Sequence, residues 1–92
     1  MKYVLLGSIS PSWISKQAER LTKSNAKLKQ LGIKQESVLY TQGQYDFIET
    51  VEAPGPESVL GFTIWYSRKG FGSIQTLPAF EDQEIRKIIK QG

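Results

Sequence analysis

Ninety-two residues suffice for one domain with a thin core, since a chain this size buries roughly 60–65% of the surface it exposes when unfolded, and pairing with a second copy is a common supplement. There is no cysteine, which excludes disulfides and thiolate metal sites, and no histidine, which excludes imidazole bases, imidazole ligands and Ser-His or Cys-His nucleophiles. The net charge of +3 is modest but uneven: six basic residues and one acid, Glu19, lie between Lys16 and Lys34, and four acids and no base between Asp46 and Glu57.

Residues 3–9 form a nearly continuous apolar run bounded by Ser10-Pro11, which predicts a short strand in a central position of a sheet. Gly7 within it marks a bulge or a close backbone approach. The run is too short for a signal peptide, and nothing in the chain approaches the ~18 apolar residues of a membrane span, so a soluble cytoplasmic protein with no membrane partner is expected. Ser10 and Pro11 are suited to the N-cap and first position of a helix. From there Ile14, Ala18, Leu21, Asn25, Leu28 and Leu31 repeat at helical spacing and predict the buried stripe, with Gly32 as the left-handed stop. Lys16, Arg20, Lys23 and Lys27 share the spacing on another face. A nucleic-acid surface is one reading of them, but a solvated helix face is preferred and nucleic acid is not an expected partner.

Residues 33–42 hold a second strand and residues 45–53 a third, separated by Gly43-Gln44, which predicts a two-residue hairpin whose first turn residue has positive φ. Both faces of these strands carry large apolar groups, so the sheet needs two covers. Ala53-Pro54-Gly55-Pro56 is a breaker, after which Val59, Phe62, Thr63 and Tyr66 form one face of a second helix, its apolar surface widened by Leu60, Ile64 and Trp65, that Gly70-Phe71-Gly72 ends. Residues 73–79 give a fourth strand, which Pro78 near its end either places at an edge or takes out of the sheet there. A short C-terminal helix follows, with Glu81-Asp82 at its start and Ile85, Ile88 and Ile89 as its stripe.

The order is that of an α+β, ferredoxin-like βαββαβ domain over residues 1–92: a four-stranded antiparallel sheet, two helices on one face, and a short C-terminal helix. The apolar second face predicts a homodimer through that face. Gly43-x-Tyr45-Asp46, preceded by Tyr40-Thr41 and followed by Val51-Glu52-Ala53-Pro54, resembles the GYD domain family, as do Tyr3 to Ser8 and Thr76-Leu77-Pro78-Ala79-Phe80 at the ends. The resemblance implies a dimeric α/β barrel, in which two ferredoxin-like sheets pair, and implies no particular activity.

Asp46 is the carboxylate whose position looks specified. It can act as a general base or substrate anchor in a cleft, or accept backbone N–H groups and fix the hairpin, and the structural role is preferred. Tyr40, Tyr45, Trp65 and Tyr66 are the candidates for lining a ligand pocket, with Trp13 at its mouth; ordinary packing is the alternative for each. Glu49 and Glu52 point to opposite faces of their strand and cannot pair directly. No cofactor is expected, and no carboxylate cluster suggests a metal. The functional expectation is a homodimeric small-molecule-binding or interaction module. The alternative is a cofactor-free oxygenase or isomerase acting on a small hydrophobic or aromatic acid.

Overall fold

Alternation along the first strand sets the layering, and the computed structural model describes it together with all of residues 1–92. In β1 (Lys2–Ile9) the odd residues Tyr3, Leu5 and Ile9 are buried, while Val4, Leu6 and Ser8 face the other way and stay half-buried. β1 pairs antiparallel with β3 (Phe47–Glu52) on one side and β4 (Gly72–Ala79) on the other. β2 (Lys34–Tyr40) pairs with the far edge of β3, giving the order β2-β3-β1-β4. The sequence therefore puts its most apolar strand in the centre and its Pro78-bearing strand at an edge, where the missing N–H breaks no ladder.

Two helices cover one face: α1 (Gln17–Gln30) and α2 (Pro56–Arg68). Both end in the same motif. In α1 the N–H groups of Gly32 and Ile33 donate to the carbonyls of Lys29 and Leu28, and in α2 those of Gly70 and Phe71 donate to Ser67 and Tyr66. Gly32 and Gly70 take φ of 71° and 74°, so each helix is stopped and its next residue, Ile33 or Phe71, is driven into the core. Close approach decides one further position. A Cβ on Gly7 would fall inside the Phe47 ring, so the bare backbone of β1 is the floor on which that ring lies.

Three expectations from the sequence need correction. The chain after Ser10 winds first as a 3-10 helix, Pro11–Lys16, before α1 begins. A 3-10 turn holds about 3.0 residues against 3.6 for an α-helix, so a stripe counted at one spacing from Ile14 drifts off the buried face. The inward residues of α1 are Arg20, Ser24 and Leu28; Ala18 and Asn25 are exposed, and Arg20, read as part of a solvated basic face, is only 2% exposed. The β2–β3 connection is also longer than a two-residue turn. Thr41 N–H donates to the Asp46 carbonyl and Thr41 Oγ1 to the Tyr45 carbonyl, enclosing residues 42–45, with Gly43 at φ 147°. Asp46 is the reason: its N–H donates to Gly7 O at 2.7 Å and its carboxylate accepts Ile9 N–H at 2.6 Å, which ties the chain to β1 before β3 begins. Finally, Leu60 and Ile64 do not widen the buried face of α2 but remain exposed.

The C-terminal helix α3 (Asp82–Gln91) starts at a capping box formed by Glu81 and Glu84. It forms no packing interface with the rest of the chain, and every residue in it is exposed. The molecule is correspondingly elongated, 49 × 29 × 18 Å, with a radius of gyration of 14.4 Å, against about 12 Å for a compact chain of this length. No helix is long and apolar enough to cross a membrane.

Candidate functional site

Under α1, between its inward face and the β2–β3 half of the sheet, lies a cavity of about 230 Å³. Each wall follows from a local periodicity. α1 presents Arg20, Ser24 and Leu28 at four-residue intervals, flanked by Leu21 and Asn25. β3 presents Phe47 and Glu49, and β2 presents Gln35, Val38 and Tyr40 on the same face; α2 closes the far side with Phe62 and Tyr66.

The polar groups here are buried and incompletely partnered. Arg20 donates from Nε and Nη2 to Gln17 Oε1, at 3.2 and 2.7 Å, and from Nη1 to Tyr66 Oη at 3.4 Å. Its guanidinium also lies 5.7 Å from the Phe47 ring centroid. It takes part in no ion pair, so two of its five N–H groups remain uncommitted. Ser24 Oγ and Glu49 Oε1 are fully buried and have no hydrogen-bond partner. Burial pushes the Glu49 carboxyl above its ordinary range, with the Gln35 amide and the Arg20 charge opposing the shift. Burial likewise raises the Tyr66 phenol, against the pull of Arg20. Native interiors pair nearly all such atoms, so an arginine, a carboxylate and a hydroxyl left open around one space mark it as the candidate site. No group of three or more carboxylates comes together to hold a metal.

Of the residues singled out from the sequence, Tyr40 and Tyr66 line this cavity together. Tyr45 lies elsewhere; its hydroxyl is bonded to Gln75 Oε1 at 2.5 Å. Trp65 stacks on Phe62 and meets Phe71 edge-on, and Trp13 packs its edge on Phe71. Asp46 lies outside the cavity, with its carboxylate engaged by Ile9 N–H. Arg20, Ser24 and Glu49 were not singled out. Their signal was present: Glu49 interrupts an alternating apolar face, Phe47-x-Glu49-x-Val51, and Arg20 and Ser24 stand four and eight residues before Leu28.

A four-stranded antiparallel sheet covered on one face by two helices defines a ferredoxin-like domain. The GYD domain profile matches residues 3–89, and the chain belongs to the GYD domain family. Among solved structures, 5-chloro-2-hydroxyhydroquinone dehydrochlorinase (TftG) from Burkholderia phenoliruptrix AC1100, in complex with 2,5-dihydroxybenzoquinone, is similar to it. The TM-score is 0.64 at 14% identity, over 91% of this chain and 98% of that one, a likeness of fold. No curated protein matches the chain.

Proposed function

We propose that this protein is a homodimeric small-molecule-binding protein of the cytoplasm whose ligand is a single-ring compound carrying an acidic oxygen. The observation that carries the reading is the half-satisfied polar set, Arg20, Ser24 and Glu49, around a cavity of about 230 Å³. A cavity of about 150 Å³ takes benzene, so this space suits one ring with oxygen substituents. Tyr40, Phe47, Phe62 and Tyr66 supply faces for the ring, and the free N–H groups of Arg20 supply the anion anchor. The quinone bound by the structural neighbour is of the same size class and suggests hydroxyquinones as probes.

Dimerisation is supported by the sheet face that no helix covers. Leu39, Ile48 and Leu77 form an exposed apolar band there, and α3 stands clear with Ile85, Ile88 and Ile89 in water. An apolar band of this kind next to an unpacked amphipathic helix is the pattern of an unmade interface. Titration calorimetry against hydroxybenzoates and hydroxyquinones, with light scattering on a sizing column, tests both parts. Wild type binds members of the panel, and Arg20→Met weakens them by roughly 10- to 100-fold, the worth of a charged hydrogen bond. Failure of every ring compound to bind removes the ligand-binding reading, and a monodisperse monomer removes the dimer.

A further inference from the structure

Resting on that reading of the cavity, we propose that the site is also catalytic: Glu49 moves a proton between carbon and oxygen of a bound 2-oxo acid, making the protein a keto–enol tautomerase for single-ring 2-oxo acids. The geometry that points there is a separation. Arg20 and Glu49 are 2% and 6% exposed and line the same cavity, yet they do not form an ion pair. A buried guanidinium and carboxylate ordinarily close on each other, because each carries a desolvation cost that only the other offsets. Held apart on α1 and β3, they leave a gap with hydrogen-bond donors on one side and a carboxylate on the other. Two free N–H groups of Arg20 match the adjacent carbonyl and carboxylate oxygens of a 2-oxo acid, and the Tyr66 hydroxyl, which accepts from Arg20, has its own proton free to donate.

Those parts are what proton transfer beside a carbonyl requires: a base within the site, and fixed donors where negative charge develops. The Glu49 carboxylate takes a proton from the carbon next to the carbonyl. The C–H electron pair becomes the C=C bond, and the carbonyl π pair moves onto the oxygen facing Arg20 and Tyr66. Glu49 then returns its proton to that oxygen, giving the enol. Nothing is oxidised or reduced, and the carboxylate is regenerated. Burial, which holds the Glu49 carboxyl above the ordinary carboxylate range, makes it a stronger base than an exposed glutamate. Asp46 takes no part in this step, because it does not line the cavity and one of its carboxylate oxygens accepts Ile9 N–H.

The test uses the full-length protein and phenylpyruvate. Proton NMR in D2O follows exchange of its benzylic C–H, ultraviolet absorbance follows the enol, and calorimetry follows binding separately. Wild type is expected to accelerate exchange over buffer, and Glu49→Gln to lower the rate by about 100-fold or more with phenylpyruvate binding retained. Glu49→Asp, which keeps the charge but draws the carboxylate back, covers a loss of folding in the first variant and is expected to bind and exchange slowly. The wild-type rate rises with pH through one ionisation, in the presence of the other titratable or charged groups facing Glu49: Arg20, Tyr66 and Tyr40. Binding without acceleration, or exchange that survives in both variants, overturns the tautomerase proposal and leaves the binding reading standing. Ring phenols that bind while phenylpyruvate does not also overturn it. Failure of every ring compound overturns both.

Discussion

The two halves of the helical layer solve one problem in opposite ways. α2 lays Val59, Phe62 and Tyr66 on the sheet, and around them Phe71 meets Trp13, Trp65 and Tyr66 edge-on with centroids 4.5–5.5 Å apart. That half is closed. α1 places Arg20 and Ser24 at the equivalent inward positions and leaves a cavity. Length and cover are similar on both sides, since α1 has 14 residues and α2 has 13, so the difference lies in the side chains. It teaches that the sheet and its helices are stabilised mainly from the α2 side, while the α1 side gives up packing for a polar chamber. Natural chains tolerate such a concession chiefly where function requires it.

Substitutions can break or sharpen this contrast. The largest effect is expected in the closed half: Phe71→Ala should destabilise by about 3–5 kcal/mol in urea denaturation, because it removes a fully buried ring from rigid neighbours. Leu28→Ala, equally buried but bordering the cavity, should fall near the low end of the leucine range, about 2 kcal/mol, because its neighbours can relax into existing space. Equal costs would mean that the cavity does not soften its own walls.

Glu49→Gln gives a smaller change with a defined sign. Burial raises the folded-state pKa above the unfolded value, so the folded protein holds the proton more tightly and stability falls as pH rises from the ordinary carboxylate range through the raised pKa. The amide avoids that loss. Its Tm should exceed wild type at neutral pH, and the gain should shrink towards zero as the pH is lowered into the ordinary carboxylate range. Lower stability at neutral pH would show that the attraction of Arg20 outweighs burial. Least of all, Ser24→Ala should stay within about 0.5 kcal/mol of wild type or gain slightly, because it removes a buried hydroxyl that has no partner. A large loss would require a bond for Ser24 within the folded chain.

Much of the architecture was legible in the sequence, and the site mostly was not. The continuous apolar run of β1, the glycines that stop both helices and the Pro54–Pro56 breaker mark their elements by local chemistry, which a linear reading captures. Asp46 was legible as a specified carboxylate, but the strand it would be tied to was not. Its partner Ile9 lies 37 residues away in the chain, a contact that no spacing rule reaches. The cavity was harder still. Arg20 looked like one of four basic residues in water, because helical spacing groups residues into faces without saying which face of α1 meets the sheet.

The sequence by itself determined the order of elements, the ferredoxin-like sheet, the two apolar faces and an amphipathic C-terminal helix. Those follow from periodicity and backbone preference, which act over a few residues. Tertiary structure alone decided that Arg20 and Glu49 face one chamber from opposite walls without touching, that Tyr40 and Tyr66 join them while Tyr45 and Trp65 do not, and that Asp46 is held by β1. These depend on how far α1 rotates over the sheet and on which half of the layer closes, which is fixed only when distant side chains compete for the same space.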